Sequence, residues 1–210
     1  MTSGNLVANV ILGVLERELK LPTGSFTSLH RLTDPSSDFL RILRYPGSKP
    51  ETVDHLSFPA HKDAVSVALL FTWLGGLQIP RQGAKVTGTN QVAEEDWRWV
   101  KPVPGTAIVN LGDAMEIFTN GVLKSGLHRV IKAPGSQAPF DKYSVLIAAR
   151  PSDRALMKAF KSSMIPPDTP EQAKAAVLTS EEWGTAKVKG VQDLLKKREG
   201  TGEVLSAIQK

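Results

Sequence analysis

The chain contains no cysteine. That single absence removes disulfide stapling, zinc knuckles, thiolate-ligated iron and a cysteine nucleophile. Histidine and carboxylate remain as the metal donors to look for. Also missing is any apolar run of the roughly 18–20 residues needed to span a bilayer. The stretch from Leu6 to Leu15 comes nearest, but no basic residue precedes it and Glu16 and Arg17 close it, so it is a poor signal peptide. These absences suggest a cytoplasmic protein with no membrane partner. No internal repeat and no phosphate-binding glycine loop is present. The charge imbalance is mild, at +5. Part of it lies in Lys187, Lys189, Lys196, Lys197 and Arg198, where Asp193 and Glu199 interrupt the run and no aromatics are interleaved. That pattern reads as a solvated helix and tail, not as a nucleic-acid surface.

What the sequence does hold is enough for one packed domain with a helical appendage: 210 residues, 41% hydrophobic and 22% charged. Residues 5–20 space Leu6, Val7, Val10, Leu12, Val14, Leu15 and Leu19 as a helix with a broad apolar face, ended by Pro22 and Gly24. Residues 28–38 form a connector. Short strand-like segments follow at Phe39–Tyr45, Ser66–Phe71, Leu77–Ile79, Trp97–Val100, Thr106–Leu111, Leu127–Ile131 and Lys142–Ala149. Residues 82–96 are polar and aperiodic, a loop or hairpin extension. Thr106–Leu111 is apolar enough for a buried strand, and Trp97 and Trp99 read as core packing on theirs. Helical patterns return at 171–178 and 186–198 beyond the prolines Pro166, Pro167 and Pro170. Many short strands bounded by glycine and proline indicate a barrel or double-sheet sandwich rather than alternating βαβ units.

Histidine is scarce: His30, His55, His61 and His128 are all there are. The informative unit is Phe58-Pro59-Ala60-His61-Lys62-Asp63. On an extended strand, residues two apart face the same way, so His61 and Asp63 can point together into a barrel. His128 follows in Gly-Leu-His-Arg-Val, and a barrel can bring that strand face to face with the first. Two imidazoles and one carboxylate on one side of an ion leave three positions open, a donor set suited to non-haem Fe(II). The same ligands would also hold zinc or manganese. His55 reads as a turn histidine or as a neighbour of the pocket entrance. Asn110 and Asp113 read as support near the metal end or as a polar turn.

Around that unit stand further stretches in a fixed order. They are Leu-Arg-Ile-Leu-Arg-Tyr-Pro at 40–46, Leu-Leu-Phe at 69–71, Gly-Gly-Leu-Gln-Ile at 75–79, and Trp-Arg-Trp-Val-Lys-Pro-Val-Pro-Gly at 97–105. Ile-Val-Asn-Leu-Gly-Asp at 108–113, Phe-Thr-Asn-Gly at 118–121, Lys-Ser-Gly-Leu-His-Arg-Val at 124–130 and Lys-Tyr-Ser at 142–144 complete the set. Together they resemble the 2-oxoglutarate and Fe(II)-dependent dioxygenases, in the branch that includes isopenicillin N synthase. The resemblance implies a mainly β fold, a double-stranded β-helix (jelly roll) with flanking helices at both ends. It divides the chain into an N-terminal helix and connector at 1–38, the remnant of a larger N-terminal region, a catalytic core at 39–160, and a C-terminal helical extension at 161–210.

It further implies an oxidoreductase of secondary metabolism. Such an enzyme uses Fe(II), 2-oxoglutarate and O2 to hydroxylate or desaturate a small organic substrate, with succinate and CO2 released and no nucleic-acid partner. His61, Asp63 and His128 become the iron ligands. Tyr45, Lys142 and Ser144 become the 2-oxoglutarate contacts, and Phe71 and Leu127 pocket walls. One position departs from the family: Lys142 stands where an arginine is usual, keeping the charge but losing the planar fork. An iron oxidase that dispenses with 2-oxoglutarate, or a non-catalytic binding domain, are the alternative expectations.

Overall fold

The computed structural model describes residues 1–47, 56–88 and 90–199; His55 lies outside them. Helix α1 (Thr2–Glu18) opens the chain, and a single 3-10 turn at Thr27–Leu29 breaks the connector. Eight strands follow: β1 (Phe39–Tyr45), β2 (Leu56–His61), β3 (Val67–Thr72), β4 (Leu77–Pro80), β5 (Trp97–Trp99), β6 (Ile108–Leu111), β7 (His128–Ile131) and β8 (Lys142–Ala149). A short helix α2 (Asp113–Phe118) sits between β6 and β7, and α3 (Pro170–Lys174) and α4 (Ser180–Glu199) close the described chain. The strands form two antiparallel four-stranded sheets, ordered β1-β8-β3-β6 and β2-β7-β4-β5. This is the double-stranded β-helix expected from the sequence. The segment between β4 and its antiparallel partner β5 carries an isolated antiparallel bridge between Thr87 and Gln91.

Strand alternation assigns the two faces of the first sheet. Phe39, Arg41, Leu43 and Tyr45 of β1, Ala68, Leu70 and Thr72 of β3, and Ser144 and Leu146 of β8 line a cavity between the sheets. The alternate residues point outward, and there the main apolar core forms. Val67, Leu69 and Ala149 pack with Ala8 and Leu12 of α1, Met115 and Phe118 of α2, and Ile165 and Trp183 of the C-terminal segment. Phe26, Phe118 and Phe160 make a mutually packed aromatic trio in that core, with centroids 5.3–6.1 Å apart. The outer face nearer β1 is left uncovered, with Ile42 69% and Trp73 63% exposed. Sheet-on-helix packing therefore supplies the dry core, while the space between the sheets stays open.

Several expectations are corrected. The apolar residues Leu6, Val7, Val10 and Val14 of α1 are exposed, and the helix buries Gly4, Ala8, Leu12 and Glu16 instead. Close approach decides this. A Cβ on Gly4 would collide with Ile147 of β8, so small residues form the stripe that lies on the sheet. β6 is an edge strand whose Val109 is exposed, not a buried strand. Trp97 is buried under the Arg129 guanidinium, 4.4 Å from its ring, but Trp99 is exposed. β2 ends at His61, so Asp63 lies in the loop beyond it and not on the strand. Pro59, which cannot donate to a ladder, sits within a register shift of β2 between Phe58 and His61.

Two buried polar side chains tie α1 and the connector to the sheets. Glu16, 3% exposed, accepts from the backbone N–H groups of Phe26 (2.6 Å), Thr27 (2.7 Å) and Gly24 (3.0 Å). Burial alone would raise its pKa, but these donors outweigh it and hold the carboxyl below its ordinary value. His30 donates from Nδ1 to the Phe26 carbonyl at 2.7 Å, and its Nε2 accepts from the Ser66 hydroxyl at 2.8 Å. Burial depresses its pKa to about 4. Asn5 of α1 donates to the His30 carbonyl at 2.9 Å, completing the junction.

Acid should therefore loosen this junction. Between pH 6.5 and about 4 the unfolded chain takes up a proton at His30 that the folded chain refuses, so stability falls with pH across that window. The Glu16 contribution is present above its ordinary value of 4.5 and is lost as pH falls through its lower folded pKa. Urea midpoints should drop from pH 7 to pH 4.5. His30→Gln should flatten the decline above pH 4, and Glu16→Ala should cost about 2–3 kcal/mol at pH 7.

Candidate metal centre

The cavity between the sheets has a volume of about 1230 Å3. At one end, β2 and β7 pair with His61 opposite His128, and the two rings stand 4.2 Å apart, centroid to centroid. His61 Nδ1 donates to the Pro59 carbonyl at 2.8 Å, and His128 Nδ1 donates to the Gly126 carbonyl at 3.0 Å. A carbonyl oxygen can only accept, so each Nδ1 carries the proton and each Nε2 presents a lone pair. Both lone pairs turn toward the Asp63 carboxylate. His61 Nε2 lies 3.3 Å from one Asp63 oxygen and His128 Nε2 lies 3.8 Å from the other. One donor atom from each of the three residues falls within 4.8 Å of the others.

Three acceptors converging without a proton to share repel one another, and a cation among them removes the conflict. Oxygen and imidazole nitrogen with open positions suit a divalent first-row metal such as Fe(II). Burial would raise the Asp63 pKa, but the two histidines and Asn110 outweigh it and lower the value. Burial lowers the His128 pKa, with the Asp63 charge opposing. Both shifts favour the state a metal requires: an ionised carboxylate and a neutral imidazole.

The loop carrying Asp63 is held from behind. Asn110 of β6 donates from Nδ2 to Asp63 Oδ2 at 2.9 Å. The backbone N–H of Asp113, at the start of α2, donates to the Asp63 carbonyl at 2.8 Å. A Cβ on Gly112 would run into the Val65 and Asp63 carbonyls, so only glycine lets the chain pass there. Glu116 of α2 then accepts from Lys62 at 3.0 Å and from the Ser125 backbone at 3.1 Å, joining the loops that carry Asp63 and His128.

Lys142 lies at the β1–β8 end of the cavity, 5% exposed, with its ammonium 4.4 Å above the Tyr45 ring. Tyr45 and Lys142 are directly opposed in the β1–β8 register. Lys142 has no carboxylate partner among the described residues, and burial lowers its pKa to about 8. Gly76, at φ +118°, passes against Ile131 and the Lys142 ammonium so closely that a Cβ would displace it. Ser144 is buried on the same inward face.

His61, Asp63, His128, Tyr45, Lys142, Ser144 and Leu127 therefore all line one cavity. Phe71 does not. It lies between Leu70 and Thr72, which face inward, so alternation turns it out to solvent, where it is 43% exposed. The structure adds wall residues that sequence reasoning passed over. Helix α4 brings Lys187 and Val188 to the cavity, and Lys187 donates to Asp113 at 2.7 Å. This corrects the reading of that lysine as part of a solvated tail. No local spacing could have found a contact 74 residues apart.

Comparison with known proteins agrees with this geometry. Residues 37–151 match the family model described as the 2OG-Fe(II) oxygenase superfamily. A 2-oxoglutarate-dependent dioxygenase of Aspergillus fumigatus is 50% identical over 214 residues, covering 98% of this chain and 56% of that protein. The 2-oxoglutarate-dependent dioxygenase iboH of Amanita muscaria is 32% identical over 158 residues, covering 74% of this chain and 71% of its own length. The chain thus spans little more than half of the first relative. Among solved structures, a full-length Neurospora crassa protein in complex with alpha-KG and thymine aligns with a TM-score of 0.70 at 21% identity, over 89% of this chain and 53% of that one. That likeness speaks for the fold. No helix among the described residues is long and apolar enough to cross a membrane.

Asn110 and Gly126 supply a direct test of the metal site. A Cβ at residue 126 would strike the Asn110 amide oxygen and push the side chain off Asp63. Gly126→Ala and Asn110→Ala should each weaken metal binding about 10–100-fold while circular dichroism is preserved. Competition titration with Zn(II) or Co(II) measures this, and wild-type affinity in both variants would remove Asn110 from the site.

Proposed function

The chain belongs to the 2OG-Fe(II) oxygenase superfamily, and from that premise we propose that it is an Fe(II)- and 2-oxoglutarate-dependent dioxygenase acting on a small organic molecule. The observation that carries the reading is the convergence of two Nε2 lone pairs and the Asp63 carboxylate at one end of the cavity. His61, Asp63 and His128 would hold the metal. With 2-oxoglutarate and O2 bound, the metal would supply oxidation of an unactivated C–H bond, releasing succinate and CO2. We assign the chain to the isopenicillin N synthase-like branch on the order and spacing of its motifs.

This chain's own residues bind, orient and exclude water. The dicarboxylate would lie between the metal end and the β1–β8 end. Its distal carboxylate would meet the Lys142 ammonium, with the Ser144 and Tyr45 hydroxyls as further donors. A buried ammonium with no protein carboxylate beside it is costly. A dianionic ligand offsets that cost, which is the physical case for binding an acid there. Lysine replaces the fork of an arginine by a point charge, so geometry at this end rests on the tyrosine and serine as well. The apolar wall formed by Leu70, Leu77, Ile108, Leu127 and Leu146 would exclude water from the reacting carbon.

Two measurements test the proposal. Anaerobic titration of the Fe(II)-loaded protein with 2-oxoglutarate should give a saturable visible charge-transfer band that His61→Ala abolishes. A protein that binds iron but gives no band would favour an oxidase without 2-oxoglutarate, and one that binds no iron would favour a non-catalytic domain. The second reads the lysine. Because the free Lys142 titrates near pH 8, the 2-oxoglutarate dissociation constant should rise as pH climbs from 8 to 9.5, by up to about tenfold per unit. Lys142→Arg should flatten that rise; a rise of the same size in Lys142→Arg would show that another group is titrating.

A further inference from the structure

We propose that Arg41 anchors a carboxylate of the primary substrate, so that the substrate is an organic acid with an apolar body. The proposal rests on the functional reading above and adds the substrate class to it.

Among the described residues the cavity wall carries four lysine or arginine side chains: Arg41, Lys62, Lys142 and Lys187. Lys62 is neutralised by Glu116 and Lys187 by Asp113, at 3.0 and 2.7 Å. Asp63 would cancel one charge of a divalent metal, and a dianionic cosubstrate would cancel the other together with Lys142. Among the described residues Arg41 is then the wall cation left without a countercharge. The contrast with Arg44, on the opposite face of the same strand, is direct: Arg44 is paired with Asp141 at 2.8 Å. Arg41 is an exposed residue of that wall, and the Phe39 ring, 4.7 Å from its guanidinium carbon, steadies the side chain without neutralising it.

Register fixes where that charge stands. Across the first sheet Phe39, Ala148, Ala68 and Asn110 share one row, and Asn110 is the residue that holds Asp63. Arg41 belongs to the next inward-facing row, with Leu146, Leu70 and Ile108, and Leu43, Ser144 and Thr72 form the row after that. Arg41 thus lies between the metal end and the cosubstrate end, on the edge strand farthest from β6. From it across β8 and β3 to β6 runs a floor of Leu146, Leu70 and Ile108. A ligand lying on that floor, with its carboxylate on Arg41, would point its apolar end toward the Asn110 side of the cavity. Strands are about 4.8 Å apart, so crossing from β1 to β6 is a span of roughly 14 Å, which a medium-sized acid covers with its side-chain contacts. An arginine fork takes a carboxylate through two parallel N–H donors and takes a carboxamide poorly.

The test uses matched acids and amides: hydrocinnamate, 4-phenylbutyrate and octanoate, each against its primary amide. Binding to the Zn(II)-loaded protein is measured by calorimetry, with and without 2-oxoglutarate. At least one acid should bind about tenfold or more tightly than its amide. Arg41→Gln should abolish that preference, Arg41→Lys should keep part of it, and the melting temperature and 2-oxoglutarate affinity should stay unchanged in both variants. No preference in any pair, or a preference that survives Arg41→Gln, overturns the proposal. A loss of 2-oxoglutarate affinity in Arg41→Gln overturns it too, by giving Arg41 to the cosubstrate. Failure of wild-type protein to bind 2-oxoglutarate would sink the functional reading instead, and the acid–amide comparison without 2-oxoglutarate would still decide on Arg41.

Discussion

His61 and His128 face one another across the β2–β7 ladder, and the rest of the cavity is arranged around that pairing. Each ring is fixed by the same device, an Nδ1–H donated to the carbonyl two residues earlier on its own chain. The rings cannot turn away without breaking that bond, so both Nε2 atoms are committed to the cavity. Asp63 then needs to be brought only a short way from the strand end. The irregular β2, with Pro59 in it, lets the chain leave the ladder directly after His61. The α2 N-terminus and Asn110 receive the loop on the far side.

A site of this kind requires space that a folded domain would normally fill. The chain solves this by moving its dry core outward. The apolar side chains of α1, α2 and the C-terminal segment pack on the outside of the first sheet, and the interval between the sheets keeps a cavity with buried charge in it. The outer layer is secured by polar contacts as well as by apolar area. Glu16 gathers three backbone donors, and His30 bridges the connector to Ser66 just before β3. Because Ser66 and Asp63 belong to one short loop, the helical layer and the metal end are mechanically continuous.

Much of this was legible in the sequence, for physical reasons that differ from residue to residue. β1 and β8 were read to the residue because each is a run rich in apolar residues, opened after an aspartate and closed by a proline within two residues of its end. The candidate triad was legible because few histidines exist and His61 stands two residues from Asp63, but that spacing is a weak signal alone, and the ordered motifs around it, through their resemblance to the family, singled the three residues out. What the sequence concealed were decisions taken by packing at long range. The buried stripe of α1 was chosen by clearance over β8, which favours Gly4 and Ala8 over the more hydrophobic Val7 and Val10. Phe71 was misplaced by one step of alternation, which turns a pocket wall into a surface residue. α2 was missed because it is short and follows a strand directly, and Lys187 because its carboxylate partner is far away in sequence.

Asn110 and Gly126 fit each other with no clearance, and that fit constrains how the protein can drift. Any side chain gained at 126 strikes Asn110, while Asn110 cannot shrink or swing aside without releasing Asp63. Neither position offers a neutral first step, so descendants of this sequence would change both together or neither. Variation should collect instead on the exposed apolar face around Ile42 and Trp73, where a replacement touches no part of this arrangement. A lineage could in this way remodel its outer surface extensively while the pair behind the carboxylate stayed frozen.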